Sequence, residues 1–103
     1  MKCEVKYSRV AVRDLERVWA SVYEASKSVD IAERYIEELL DKVERRADSP
    51  ESGSPFYYEN GFTGYRFIVF KAYMVFYRFK GNALFVDRIL LAKSDYINVL
   101  HLI

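Results

Sequence analysis

The sequence predicts an α+β domain in which one strand and a pair of helices precede a three-stranded antiparallel meander. Three observations support this fold class. Apolar and polar residues alternate near the N-terminus, as they do in a strand with one buried face. Apolar residues then recur every three or four positions across residues 11–43, which is the spacing of amphipathic helices. After Gly64 the pattern returns to strand-like runs separated by short turns.

The first strand is predicted at residues 3–8, and the period changes to that of a helix from Arg9 onward. The apolar stripe of this helix consists of Ala11, Leu15, Val18, Trp19, Val22 and Tyr23. We expect the polar residues between them to face solvent, namely Arg13, Asp14, Glu16 and Arg17.

A second helix is predicted after a break at residues 26–29. Asp30 is its predicted N-cap, because an Asp side chain accepts hydrogen bonds from the free N–H groups of the first turn. The apolar stripe consists of Ala32, Tyr35, Ile36, Leu39, Leu40 and Val43. Both stripes, including Trp19, are interpreted as core, so the two helices should pack as a hairpin.

Residues 48–55 contain both prolines of the chain together with other turn formers, so a loop without regular structure is predicted there. Three strands are predicted next, at residues 65–70, 73–80 and 83–91, with Gly81-Asn82 as a two-residue hairpin turn. The middle run is apolar on both alternations, as expected for a central strand. Ser94 or Asp95 could cap a short terminal turn.

Length and composition favour one domain over residues 1–103, since 51% of the residues are hydrophobic and can form one continuous core. Cys3 is the only cysteine, which excludes an internal disulfide and a paired-thiolate metal site. His101 is the only histidine, so no metal and no cofactor are expected. No apolar run approaches the length of a membrane span, and the opening residues do not resemble a secretory signal. These features predict a cytoplasmic protein without membrane association.

Basic and aromatic residues interleave in the second half of the chain. Between residues 66 and 93 the only acidic residue is Asp87, and eleven of the sixteen Tyr and Phe residues lie between Phe56 and Phe79. Such a surface can bind a polyanion or a partner protein, but aromatic residues are also good sheet formers. The residues alone leave both interpretations open.

Four motifs, in order, resemble the RelE/ParE superfamily of bacterial toxin–antitoxin toxins, and the likeness covers nearly the whole chain. The first is residues 5–8 leading into residues 11–19, which contain Arg13-Asp14-Leu15 and Trp19. The second is Ser49-Pro50-Glu51-Ser52-Gly53. The third is Tyr65-Arg66 followed by Tyr73-Met74-Val75-Phe76-Tyr77-Arg78, and the fourth is Val86-Asp87-Arg88-Ile89-Leu90 through Lys93-Ser94-Asp95-Tyr96.

The resemblance implies one of two activities. ParE-like toxins poison DNA gyrase by binding it, whereas RelE-like toxins cleave messenger RNA on the ribosome with basic residues and a tyrosine near the scissile phosphate. The RelE-like branch has an arginine immediately before the equivalent of Val75-Phe76-Tyr77, and this chain has Met74. The ParE-like branch is therefore the better match, with the ribonuclease as the alternative. If the chain is a ribonuclease, Arg66, Lys93 and Tyr96 are the available catalytic groups; otherwise no catalytic residue is expected.

The resemblance also implies a cognate antitoxin as the protein partner. The residues predicted to contact the target or the antitoxin are Arg66, Arg78, Arg88, Lys93, Asp95 and Tyr96. Three of them have a structural alternative: Arg66 and Arg78 can pair with a carboxylate or extend to water, and Asp95 can be a helix cap. A non-toxic protein-interaction module is a further alternative.

Overall fold

The computed structural model describes residues 3–100, and for Tyr96 and Ile97 it describes the backbone alone. Its elements are β1 (Glu4–Tyr7), α1 (Arg9–Ser26), α2 (Val29–Arg46), β2 (Ser54–Tyr58), β3 (Gly61–Phe70), β4 (Tyr73–Lys80), β5 (Ala83–Leu91) and α3 (Tyr96–Val99). A short 3-10 turn, Pro50–Ser52, precedes β2. The predicted α+β class and the order strand, helix pair, meander, short terminal helix are confirmed.

The five strands form one sheet in the order β1-β5-β4-β3-β2. Strand β1 is parallel to β5, with Glu4 opposite Ala83 and Tyr7 opposite Val86. The other neighbours are antiparallel, and β4 is central as predicted. The first strand therefore pairs with the last, and β1 and β2 are the two edges.

Strand β2 was not predicted, and the expectation of a loop throughout residues 48–55 was wrong where β2 begins. Pro55 lies within it, and a proline is tolerated there because an edge strand needs hydrogen bonds on one side only. The hairpin to β3 turns through Glu59-Asn60, both with positive φ (51° and 66°). Positive φ at both turn residues is typical of a type I′ turn, which usually contains Asn-Gly. Because the turn residues here are Glu-Asn, the sequence gives only a weak signal for this turn.

Each long helix begins at a serine. Ser8 caps α1, its hydroxyl accepting from the Ala11 N–H at 2.9 Å. Ser28 caps α2 by accepting from the Ile31 N–H at 3.2 Å, so the prediction of Asp30 as the cap was wrong. Asp30 lies in the first turn instead, where a carboxylate interacts favourably with the helix dipole.

The helices cover one side of the sheet, which we call the covered face. Its buried core includes Val18, Leu39, Val43, Val75 and Tyr77. The opposite side, the open face, carries a second apolar cluster of Met74, Phe76 and Leu100, with Phe56, Tyr65, Phe67 and Leu90 packed against it. Trp19, predicted as core, is only partly buried and stacks on the exposed Tyr23 at 5.3 Å. In residues 3–100 no helix is both long and apolar enough to cross a membrane.

Alkaline pH should destabilise the fold through its buried tyrosines. Burial raises the pKa of Tyr7 from its ordinary value of 10.0 to about 12, with a further contribution from the Glu44 carboxylate. Burial also raises the pKa of Tyr35, Tyr65 and Tyr77. Because the unfolded chain loses these protons first, the stabilisation is complete below pH 10 and is lost as the pH rises through the folded-state pKa values.

Urea unfolding at a series of pH values between 9 and 12 measures this loss. Tyr7→Phe should reduce the slope of stability against pH, whereas Tyr57→Phe, at a side chain that is 59% exposed, is the surface control. A slope that Tyr7→Phe leaves unchanged would contradict the assignment.

Candidate functional site

Asp14 is the most deeply placed charged group of the described chain. It was predicted to face solvent, and this was wrong, since the residue is 2% exposed. Its carboxylate accepts from Arg88 Nε at 2.8 Å, from Arg88 Nη2 at 3.2 Å and from the Ile89 N–H at 2.9 Å. Arg17 Nη1 lies 3.6 Å from Asp14 Oδ1. The Asp14–Arg88 ion pair joins α1 to β5. Arg88 binds the carboxylate through two nitrogens, and its side chain remains 21% exposed.

This ion pair forms at a place where β5 has no neighbouring strand. Strand β1 ends opposite Val86, and beyond it the start of α1 contacts the outer edge of β5. The Ser8 hydroxyl donates to the Asp87 carbonyl at 2.8 Å, and Asp14 accepts from the Ile89 N–H. A bulge between Phe76 and Tyr77 shifts the β4–β5 register here. Polar groups of α1 therefore replace a missing strand.

A cleft of about 340 Å³ lies beside this junction on the open face. It is lined by Ser8, Val10, Tyr65, Arg78, Asp87, Arg88, Val99 and Leu100. The cleft thus brings together two of the predicted site residues, Arg78 and Arg88. Arg78 Nε donates to Asp87 Oδ2 at 2.8 Å, and its guanidinium lies 5.4 Å from the Tyr65 ring centroid. Both arginines are therefore paired with carboxylates, which lowers the net positive charge of the cleft.

Tyr65 is the titratable hydroxyl of this cleft. Burial raises its pKa, and the adjacent Asp87 carboxylate, which accepts its hydrogen bond, raises it further. The hydroxyl therefore stays protonated at neutral pH and acts as a hydrogen-bond donor. A tyrosine that acts as a general base would need a pKa lowered toward neutral pH.

Arg66 lies on the covered face, since it is directly opposite Tyr77 in the β3–β4 register. Its Nη1 donates to the carbonyls of Glu51 and Gly53 at 3.1 Å each. The guanidinium lies between the rings of Phe62 and Phe79, at 5.5 and 5.6 Å from their centroids. Arg66 therefore holds the turn before β2 and does not reach the open-face cleft.

The remaining predicted site residues follow the end of β5. Lys93 is exposed in the turn. The Asp95 backbone carbonyl accepts from the Val99 N–H at 3.2 Å, and its carboxylate accepts from the side-chain amide of Asn98, Nδ2, at 2.6 Å. The side chain of Tyr96 and the whole of His101 lie outside the described residues.

Arg66 and Lys93, two members of the predicted ribonuclease set, are not brought together. Arg66 lies opposite Tyr77 of β4, and Tyr77 in turn lies opposite Val86 of β5. Lys93 follows Leu91, the last residue of β5. At about 3.3 Å per residue, the five steps from Val86 to Leu91 alone span roughly 16 Å. The described part of these residues does not form a catalytic cluster.

The turn that Arg66 contacts contains a packing constraint that the sequence argument did not identify. Tyr77 is fully buried, and its hydroxyl donates to the Pro50 carbonyl. Gly53 lies against the Tyr77 ring, where a Cβ would overlap the hydroxyl and lie 2.7 Å from Cζ. The motif Pro50-x-x-Gly53 was the available signal, because a glycine is often required where a ring approaches the backbone closely.

In residues 3–100 no three His, Cys, Asp or Glu side chains are grouped so that they could hold a metal ion. The described surface exposes arginine, tyrosine and apolar side chains, and such residues are common in protein interfaces.

Comparison with known proteins identifies the family. The family model described as "ParE toxin of type II toxin-antitoxin system, parDE" matches residues 5–96. No curated protein sequence matches the chain.

Three solved structures share the fold. The chromosomal ParDE toxin–antitoxin system from P. aeruginosa aligns with a TM-score of 0.73 at 18% identity, covering 89% of this chain and 98% of the other. The RelBE2 toxin–antitoxin complex from Mycobacterium tuberculosis aligns at 0.66 and 15% identity, covering 91% and 95%. The E. coli DinJ-YafQ toxin–antitoxin complex aligns at 0.54 and 13% identity, covering 88% and 93%. The family model spans nearly the whole sheet and both long helices, so the chain belongs to the ParE toxin family of type II toxin–antitoxin systems.

Proposed function

We propose that this ParE-family toxin arrests growth by binding DNA gyrase in the cytoplasm, and that a cognate antitoxin neutralises it. Family membership supports the toxin assignment. The three aligned structures are all described as toxin–antitoxin systems or complexes, which supports an antitoxin as the partner.

The environment of Met74 is the observation that favours target binding over RNA cleavage. In the RelE-like branch this position holds an arginine, and cleavage needs cations where negative charge develops at the phosphate. Here Met74 is 8% exposed and packs with Phe76 under Leu100. The centre of the open face is therefore apolar, and two of the predicted cations, Arg78 and Arg88, are already paired with carboxylates.

Surface composition supports protein binding. Large apolar side chains are exposed on several strands, including Tyr57 (59%), Phe62 (51%) and Leu91 (42%). Exposed apolar groups near arginines are typical of a surface that a protein partner covers. Both a target and an antitoxin could use such contacts.

Inducible expression in bacteria tests the proposal. We expect growth to stop after induction, the purified toxin to inhibit gyrase supercoiling at micromolar concentration, and cellular messenger RNA to remain intact. Met74→Leu, which keeps the apolar cluster, is expected to retain the effect. Unimpaired growth with soluble protein would support the inert interaction module, and rapid messenger cleavage with unaffected gyrase would support the RelE-like alternative.

A further inference from the structure

We infer that the open face of the sheet carries a small-molecule site that binds a free nucleotide, with the base stacked on Phe85 and the phosphates held by lysines. The site is a cleft of about 410 Å³ at the end of the sheet where β4 finishes and β5 begins. It is lined by Gly64, Arg78, Phe79, Lys80 and Phe85. Its volume lies within the range of ligand pockets, about 300–1,000 Å³.

Strand alternation assigns the walls of the cleft to the open face. Tyr77 belongs to the core under the helices. Its neighbour Arg78 therefore points to the opposite side, as does Lys80 two residues further on. Phe85 lies directly opposite Arg78 in the β4–β5 register, and cross-strand partners share a face. The walls of the cleft are thus two cations and a ring.

The floor of the cleft is backbone. Phe79 alternates with Arg78 and points to the covered face, so it offers its main chain to the cleft. Gly64 has no side chain, and a Cβ added there would have no atom of the described chain within 4 Å. The space between the walls is therefore open to a ligand.

Three neighbouring strands place a cation, a ring and a second cation side by side. Lys6 of β1 lies opposite Phe85 of β5, and Phe85 lies opposite Arg78 of β4. Neighbouring strands are about 4.8 Å apart, so both cations are within reach of a group stacked on Phe85. Lys80 follows Arg78 at about 7 Å along the strand.

The two lysines are available to an anion. Lys6 and Lys80 are exposed, and neither forms an ion pair with another residue of the range 3–100. Arg78, in contrast, is paired with Asp87. Glu4 is a further carboxylate on this face, in the edge strand β1. Two ammonium groups favour a ligand with at least two negative charges, such as a diphosphate.

The ring and the guanidinium supply planar surfaces for a base. Phe85 is 37% exposed, and the side chain of Arg78 is 57% exposed. Bases stack on aromatic rings and on guanidinium planes.

A single nucleotide fits this surface better than a nucleic acid strand does. A strand needs a free ring for each of several successive bases. The next ring along the row is Tyr65, which lies 5.4 Å from the Arg78 guanidinium and 6.4 Å from the Phe76 ring. Because Tyr65 is already engaged on two sides, Phe85 offers the accessible stacking surface.

Nuclear magnetic resonance titration of the folded toxin with magnesium-free adenosine 5′-diphosphate tests the inference. At low ionic strength the diphosphate should shift the amide signals of residues 6, 78–80 and 85, with a dissociation constant below about 1 mM. Adenosine alone and pyrophosphate alone should each bind at least about tenfold more weakly, because each makes only one of the two kinds of contact.

Two variants separate stacking from charge. Phe85→Leu keeps an apolar side chain but removes the ring, and should weaken diphosphate binding about tenfold, within the range of one base-stacking contact. Phe62→Leu, at an exposed ring of β3, is the matched control and should change the affinity less than about twofold. Lys80→Gln should weaken binding of the diphosphate but not of adenosine, whereas Arg34→Gln on α2 should change neither. Thermal unfolding verifies that each variant is folded.

The inference is overturned if the diphosphate causes no shifts or binds no more tightly than adenosine. A single-stranded hexanucleotide that binds more tightly than the diphosphate also overturns it, because the surface would then follow a strand. Equal affinities of Phe85→Leu and Phe62→Leu have the same meaning. If Phe85→Leu does not fold, Lys80→Gln decides, since Lys80 is exposed. The assay contains neither gyrase nor antitoxin, so its failure leaves the proposed function standing.

Discussion

Asp14→Ala is expected to lower the free energy of unfolding by about 3 kcal/mol, near the lower end of the loss measured when one partner of a buried ion pair is removed. The substitution leaves the Arg88 guanidinium and the Ile89 N–H without their acceptor. Because the Arg88 side chain is 21% exposed, water can partly replace the carboxylate, which keeps the loss below the upper end. Urea unfolding followed by circular dichroism measures the change.

Two further variants separate the ion pair from the loss of packing. Arg88→Ala should cost a similar amount, and the double variant Asp14→Ala with Arg88→Ala should cost clearly less than the two single losses added together. Glu16→Ala, an exposed position one half-turn away, is the surface control. A loss for Asp14→Ala within about 0.5 kcal/mol, the range of ordinary surface substitutions, would show that the pair contributes little.

Gly53→Ala is expected to destabilise the protein by about 3 kcal/mol, combining the cost of overpacking with loss of the Tyr77 hydrogen bond. The new Cβ would overlap the Tyr77 hydroxyl, and the ring is fully buried and has no space to move into without displacing the core. The same displacement would disturb the Gly53 carbonyl that Arg66 contacts. Thermal unfolding measures the effect.

Gly61→Ala is the matched control, because the nearest atom to its added Cβ would be a carbonyl oxygen at an ordinary 3.6 Å. Gly53→Ala should lower the free energy of unfolding less in the Tyr77→Leu background than in the wild type, since the shorter side chain removes the overlapping atoms. Equal stability of Gly53→Ala and Gly61→Ala would contradict the packing argument.

The sequence predicted the fold well where hydrophobic periodicity was strong. Both long helices and the three strands of the meander follow from alternation and from three- and four-residue spacing. Strand β2 was missed because its residues include Pro55 and its turn is Glu59-Asn60, neither of which is typical of a hairpin. The cap of α2 was misplaced because Ser28 and Asp30 are both good caps and only backbone geometry separates them.

The candidate site was predicted less completely, because side-chain partners depend on tertiary structure. The face occupied by Arg66 follows from a strand register that the sequence does not specify. Asp14 was predicted to lie on a polar helix face, and its burial depends on Arg88, which lies 74 residues away. The family resemblance gave the correct family from motifs in their correct order, while the roles of Lys93, Asp95 and Tyr96 remain predictions.

The parallel pairing of β1 with β5 has a consequence for biosynthesis. Residues 4–7 form the first of the described strands to leave the ribosome, yet their partner, residues 83–86, belongs to the last of these strands. Contacts of such wide sequence separation form late and slow folding. While the chain is still being made, the α1–α2 hairpin can form, but β1 has no strand to pair with and the Asp14 carboxylate lacks the Arg88 guanidinium. The chain therefore acquires its native surface only after β5 has emerged.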